Sequence, residues 1–261
     1  MTCSRLRWVE LTHPRLSGPR TAVVWAALRR ELDRHRGLAA DQDTAKAPLT
    51  VLDVGGGTGG FAVPLAEAGH RVTVVDASPD ALAALTRRAA EAGVADRVRA
   101  LQGDADALAG YVEPASVDLV LCHSVLDVVD DPAGVVGAVA AALRPGGAAS
   151  VLVAGKAAAV LHRAITGQLA AAAELLADAE GRVAGRDTVR RRYDADSAAA
   201  LLRAAGLDVI EIHGVRVIAD LLPAAVADAD PHAVVELELA AAAHPPYRDI
   251  AAQLHVFARR A

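Results

Sequence analysis

At 261 residues and 26.8 kDa the chain is sized for one α/β domain with insertions. With 53% hydrophobic and 23% charged residues it can bury a sizeable core, which excludes a disordered chain. The net charge of -5 and the 3% aromatic content argue against a strongly basic or base-stacking nucleic-acid module, but not against an enzyme that touches one nucleotide. Mean hydropathy is +0.28, inflated by alanine. The Ala-rich stretches are interrupted well before the roughly 20 apolar residues that a membrane span needs. Two cysteines, Cys3 and Cys122, are too few for a disulfide framework, and Arg5, Arg7 and Trp8 lead into a polar segment rather than an apolar leader. The expectation is a cytoplasmic protein with no membrane partner.

In chain order, Val24, Leu28 and Leu32 recur at helical spacing and predict a helix over 21–36 that Gly37 stops. Residues 37–48 read as a linker. From Leu49 strands and helices alternate. The strands fall at 49–54, 71–76, 98–101, 117–122 and 148–154. The helices fall at 61–68, at 79–93 with Ser78 as N-cap and Pro79 in the first turn, and from Asp131-Pro132 to a tight turn at Leu143-Arg-Pro-Gly-Gly147. Single helices between strands imply a parallel sheet with helices on both faces. After Gly155 the rhythm breaks. Residues 156–178 read as helical, 181–193 as an Arg-rich loop, 196–205 as a helix and 207–217 as a long strand. Two helical stretches near 221–229 and 232–243 precede a last strand at 253–258.

The chemistry begins at Val51-Leu-Asp-Val-Gly-Gly-Gly-Thr-Gly-Gly60. A strand running into glycines and then a helix lets backbone N–H groups approach a ligand beside the positive helix end. Asp76 closes the next strand about 20 residues on, where a carboxylate can accept ribose hydroxyls. Gly55, Gly57 and Gly60 also satisfy the dinucleotide spacing, so the glycines alone leave NAD open. Asp53 tips the choice, because a carboxylate at the strand end repels a pyrophosphate and attracts a sulfonium and an amino group. Gly103-Asp-Ala-Asp106 after the third strand offers an acid or an amide for an adenine amino group.

Taken together, Asp53-x-Gly55-x-Gly57-x-Gly59, Asp76, Gly103-Asp104 and Leu143-x-Pro145-Gly-Gly147 resemble the class I S-adenosylmethionine-dependent methyltransferases. That resemblance implies a Rossmann-like, mostly parallel seven-stranded sheet with helices on both faces and an N-terminal helix. Further segments are similar to the SmtA/CmoM family over nearly the whole chain. They are Gly18-Pro-Arg20, His123-Ser-Val-Leu-Asp127, His213-Gly-Val-Arg-Val217, Glu236-Leu-Glu238, Pro246-Tyr247 and His255-Val-Phe-Ala-Arg259. The family methylates the carboxylate of 5-carboxymethoxyuridine in tRNA, so the resemblance implies that activity, with tRNA as partner and S-adenosylmethionine as cofactor.

By position, the resemblance implies cofactor contacts at Arg20, Gly55, Gly56, Asp76, Ala105, Asp106 and His123, to which the glycine motif adds Asp53 and Gly57. The general Gly-Asp pattern would instead place the adenine contact on Asp104. His123, Asp127 and Arg216 are candidate pocket residues, with no catalytic base assigned and no metal site. Arg216, read as mid-strand, could pair with Glu236 or Glu238 or hold an anionic acceptor. Residues 1–48 are read as a helical lid and linker, and 49–261 as the methyltransferase domain with insertions near 156–193 and 220–250. Two departures stand out. Thr58 replaces the family's glutamate, and Arg182, Arg186, Arg190, Arg191 and Arg192 stand where the family carries a lysine-rich run. Two alternatives accompany the reading: a small-molecule O- or N-methyltransferase, favoured by the weak basic patch, and a non-catalytic cofactor-binding module.

Overall fold

A computed structural model describes residues 18, 21–41, 48–182 and 189–261. Arg20 and Arg186 lie outside these residues, as do residues 42–47 of the expected 37–48 linker. Strands β1 (Thr50–Val54), β2 (Arg71–Asp76), β3 (Val98–Gln102), β4 (Val117–His123), β5 (Leu143–Ala154), β6 (Leu207–Val215) and β7 (Gln253–Arg260) form one sheet. Its order is β3-β2-β1-β4-β5-β7-β6. The first five strands pair in parallel, and β7 is antiparallel to both β5 and β6. This is the mostly parallel seven-stranded sheet that the family resemblance implied, whereas the alternation alone implied a parallel one. The order reverses at β1, which pairs with both β2 and β4, and such a switch point opens a crevice at the strands' carboxyl ends.

Helices α1 (Ala22–Asp41), α2 (Ala62–Glu67) and α3 (Pro79–Glu91) lie on one face, where their side chains share a core with Val51, Val72, Val74, Leu119 and Leu121. On the other face, α4 (Pro132–Ala142) and α7 (Ala195–Ala204) pack on Leu52, Val54, Val120 and Cys122. Near-continuous burial of β1 and β4 follows from coverage on both faces, which is why their sequences run apolar rather than alternating. Helix α5 (Lys156–Ile165), α6 (Leu169–Ala177), α8 (Ala224–Ala229) and α9 (Pro231–Ala241) complete the chain. The stripe of α1 buries Val24, Leu28 and Leu32, each contributing about 1.5–3 kcal/mol by leaving water. Glu31 of the same helix joins Arg259 of β7 at 2.7 Å.

Several boundaries differ from the sequence reading. Helix α1 continues through Gly37 to Asp41, because one glycine weakens a helix interior by only about 1 kcal/mol. The segment 156–178 is two helices, broken where Gly167 takes a positive φ of 79°. Residues 143–147 belong to β5 rather than to a separate turn. Val117 pairs with Leu143 and Leu119 with Ala148, so five residues of β5 span two of β4 and the excess bulges out. Strand β6 stops at Val215, leaving Arg216 beyond its end with φ 61°.

Candidate active site

The glycine loop leaves β1 at the switch point. The Gly55 N–H donates to Val75 O at 2.8 Å, and the Gly57 N–H donates to Asp76 Oδ2 at 2.8 Å. Asp76 Oδ1 accepts from the Ser78 N–H at 2.8 Å, so this half-buried carboxylate is fixed by backbone donors with lone pairs to spare. The glycines are sterically required. Gly55 has φ 67°, and a Cβ there would lie 2.5 Å from Val125 Cγ2. A Cβ on Gly56 would lie 2.5 Å from Asp53 Oδ2.

Asp53 is buried, and its Oδ2 has no hydrogen-bond partner among the described residues. Burial, with the charge of Asp76 second, pushes its carboxyl up to about 7. Buried carboxylates without partners are costly, and a cation beside this one would relieve the cost. The donor set therefore fits a cationic nucleoside: an unpaired acid under a glycine cradle, with a second acid at the neighbouring strand end. Past β3, Asp104 is turned onto its own backbone, its Oδ1 accepting from the Asp106 N–H at 3.2 Å. Asp106 stays exposed beside half-buried Ala105.

His123 ends β4 one strand over from the loop. Its Nε2 lies 2.8 Å from Ser150 Oγ, and its ring meets Phe61 edge-on at 4.8 Å between centroids. Phe61 in turn stacks on Trp25 of α1 at 5.0 Å. Burial pushes the His123 imidazole down to about 4, so it is neutral at physiological pH. Sequence reasoning did not single out Phe61. Its signal was available, since it is one of only two phenylalanines and directly follows the glycine loop. Cys122 is a buried residue of β4 with its thiol pushed up by burial to about 12, in keeping with a packing role.

Asp127 is buried and its Oδ1 accepts from the Ala154 N–H at 2.9 Å, while its carbonyl accepts from Arg190 and Arg191 N–H groups. Burial is the main influence on its carboxyl and pushes it up to about 6. Through its side chain on one side and its carbonyl on the other, Asp127 links the end of β5 to the arginine segment. Of these arginines, Arg191 and Arg192 turn inward, while Arg190 forms an exposed pair. Arg190 pairs with Asp130, Arg191 donates to Val129 O at 2.6 Å and Asp130 O at 3.0 Å, and buried Arg192 donates to Gly181 O at 3.1 Å.

A cavity of about 450 Å³ opens at the carboxyl end of β5; of the three predicted pocket residues only Arg216 lines it, and His123, Asp127 and the glycine loop do not. Ala154, Gly155, Leu161, Ile165 and Leu221 give it apolar walls, and its charged lining is Arg163, Arg192 and the pair Arg216–Asp220. Of the alternatives open for Arg216, a pairing with Glu236 or Glu238 is not found among the described residues. Arg216 pairs with Asp220 through Nε–Oδ1 at 3.1 Å and Nη2–Oδ2 at 2.5 Å. Glu238 is instead fully buried and accepts the N–H groups of Val217, Ile218 and Ala219 at 3.0, 2.8 and 2.6 Å. Tyr247 stands apart, exposed in a surface groove with Leu237 and His244. Among the described residues no group of His, Cys, Asp or Glu is placed to hold a metal ion.

Comparison with known proteins fits this geometry. A family model described as a methyltransferase domain matches residues 51–147. The chain is 31% identical over 242 residues to the tRNA 5-carboxymethoxyuridine methyltransferase of Escherichia coli K12, covering 92% of this chain and 88% of that protein. The chain belongs to the SmtA/CmoM family of class I S-adenosylmethionine-dependent methyltransferases. It is also 41% identical over 113 residues to a ubiquinone biosynthesis O-methyltransferase of Ralstonia nicotianae, a match covering 42% of this chain and 46% of that one. The same fold occurs in S-adenosylmethionine-dependent methyltransferases from Methanosarcina mazei (TM-score 0.57, 16% identity, 82% of this chain and 92% of that chain). It recurs in one from Mesorhizobium loti (TM-score 0.55, 21% identity, the same coverage). As a member of this family the chain is an S-adenosylmethionine-dependent methyltransferase. No helix among the described residues is long and apolar enough to cross a membrane.

Proposed function

We propose that this methyltransferase esterifies the carboxylate of 5-carboxymethoxyuridine in tRNA. One observation carries the reading: similarity to the Escherichia coli tRNA enzyme extends over 92% of the chain, whereas similarity to the ubiquinone O-methyltransferase stops at 42%. When bound, S-adenosylmethionine supplies a methyl group activated on a sulfonium, for in-line displacement by the acceptor. Asp53 and Asp76, with the backbone of Gly55, Gly56 and Gly57, would hold the cofactor's cationic and ribose parts. Ala105 and Asp106 would take the adenine, and His123 would form a wall. Arg20 is proposed for the methionine carboxylate, which suits its two parallel donors.

A carboxylate acceptor is ionised at neutral pH, so the chain needs no general base. That accords with a neutral His123 and with Asp127 engaged on the Ala154 N–H. The protein's work is then to place the acceptor oxygen and exclude water. The cavity at the end of β5 has the right chemistry for the acceptor, with apolar walls for a base and Arg216 for an anion. A small-molecule O- or N-methyltransferase is the second reading, favoured by the engagement of Arg190 with the exposed Asp130 carboxylate and of Arg191 and Arg192 with backbone carbonyls, which reduces the positive charge this segment offers to RNA.

Incubation with methyl-labelled cofactor and either bulk tRNA or a metabolite extract separates the two. Label in a nuclease-sensitive fraction supports the tRNA reading, and label confined to small molecules removes it.

A further inference from the structure

Behind His123 runs a polar chain whose other members this mechanism does not use. His123 of β4, Leu152 of β5, His255 of β7 and His213 of β6 stand in register across the sheet, so their side chains share the face covered by α1. Ser150, two residues before Leu152, points to the same face and is fully buried. Its Oγ lies 2.8 Å from His123 Nε2 and 2.8 Å from His255 Nε2. His255 is itself fully buried and stacks on His213 at 5.9 Å between centroids. His213 reaches Glu211 at 3.4 Å, which Arg30 of α1 pairs at 2.6 Å near the surface.

We propose that Ser150 and His255 are positioning residues for His123, which they hold edge-on to Phe61 in a single tautomer at the rim of the cofactor site. This rests on the cofactor site described above. A hydroxyl has one proton. Placed between two neutral imidazole Nε2 atoms, it donates to one and accepts from the other. The two histidines therefore carry opposite tautomers: one protonated on Nε2, the other on Nδ1. Both rings are neutral, because burial pushes His123 down to about 4 and holds His255 well below the ordinary histidine range. His123 Nδ1, like the Nδ1 atoms of His213 and His255, is closed to solvent without a partner among the described residues, so the Ser150 hydroxyl is the hydrogen-bond partner that orients the His123 and His255 rings. Without Ser150, the ring would be free to turn about its terminal torsion, which has a broad, roughly two-fold profile. His255 to His213 is a ring stack rather than a hydrogen bond, which makes the chain a clamp and not a proton wire.

The test uses the full chain with histidines labelled in nitrogen-15 and S-adenosylhomocysteine as the probe. Long-range nitrogen–proton spectra of the unsubstituted protein at pH 7 are expected to show one tautomer at His123 and the opposite one at His255. Ser150→Ala is expected to collapse the single His123 tautomer into a mixture and to weaken homocysteine-compound binding about tenfold, with Ser150→Thr restoring both. The same tautomer on both rings would overturn the proposal, as would a Ser150→Ala protein with His123 tautomer and affinity within twofold of the parent. Should Ser150→Ala fail to fold, the spectra of the unsubstituted chain decide. If that chain binds no S-adenosylhomocysteine at all, the cofactor site itself is misread and the proposal falls with it, a result separate from a change confined to the variant.

Discussion

Gly56 stands over the carboxylate of Asp53 so closely that a Cβ on the glycine would come within 2.5 Å of Oδ2 and 2.9 Å of Val74 Cγ1. The glycine and the acid are therefore one feature. The loop has to pass directly over a charge that the protein leaves unpaired, and only a residue without a side chain fits there. Gly56→Ala is expected to displace the Asp53 carboxylate and weaken S-adenosylmethionine binding by more than tenfold. Isothermal calorimetry checks this, and unchanged affinity would show that the contact gives way freely. The melting temperature is expected to fall as well, since overpacking of this kind costs about 1–3 kcal/mol.

With Asp53 in its proposed cofactor role, binding is expected to depend on pH. Burial, followed by the Asp76 charge, pushes the Asp53 carboxyl up to about 7, so below that pH it is largely neutral. A cationic ligand favours the ionised form, and binding below pH 7 must release a proton. Affinity is expected to fall as pH drops from 8 to 5.5, approaching a tenfold loss per pH unit at the acid end, the slope that one linked proton gives. Titrations in two buffers of different ionisation enthalpy measure that proton directly. A pH-independent dissociation constant over this range would contradict the assignment.

Stability of the cofactor-free protein follows with the opposite sense. A carboxyl whose folded value is raised contributes stability that is fully present below its unfolded value and lost as pH rises through about 7. Asp53→Asn removes the buried charge. The variant is expected to melt higher than the parent at pH 8, and no higher at pH 4, while losing cofactor affinity. Thermal denaturation at the two pH values tests the pair of outcomes.

Periodicity made most of the sheet legible, because β1 and β4 are buried on both faces and, like β2, read as short apolar runs, closed by Gly55 after β1 and Asp76 at the end of β2. Asp53, Asp76 and the glycines were legible for a related reason, since a loop between strand and helix at a switch point leaves few residues free to vary in type. What the sequence hid was pairing between distant segments. Arg216 sits 22 positions before Glu238 in a segment that reads as strand, yet the strand ends at Val215 and the arginine turns to Asp220. The Ser150 hydroxyl meets two imidazoles from β4 and β7, a contact that only the register of three strands creates. Gly37 misled because a helix held by tertiary packing tolerates a residue that would end an isolated one.

Glu238 gives a prediction that the sequence reading would have directed elsewhere. Its carboxylate accepts three successive backbone N–H groups, those of Val217, Ile218 and Ala219, with no solvent access. Glu238→Gln turns one acceptor oxygen into a donor facing those N–H groups. The loss is expected to be about 2–4 kcal/mol, the range for leaving one or two buried donors unsatisfied. Chemical denaturation reads it. Because the braced turn leads to Asp220 and Leu221 in the cavity wall, the Michaelis constant for the acceptor is expected to rise while affinity for S-adenosylmethionine holds.

Arg216 and Asp220 provide the sharpest test of the acceptor's charge. The guanidinium lines the cavity yet is held in a two-pronged pair with Asp220, at 2.5 and 3.1 Å. An anionic acceptor would have to share or displace that carboxylate. Arg216→Ala is expected to raise the acceptor Michaelis constant at least tenfold with cofactor affinity unchanged. Arg216→Lys is expected to recover little of this, since an ammonium lacks the planar fork that matches a carboxylate. Asp220→Asn removes the competitor and is expected to lower the Michaelis constant for a carboxylate acceptor. Steady-state kinetics with methyl-labelled cofactor on the acceptor fraction measures all three. If Asp220→Asn weakened the acceptor as much as Arg216→Ala did, the pair would be bracing the cavity wall and the arginine would not be recognising an anion.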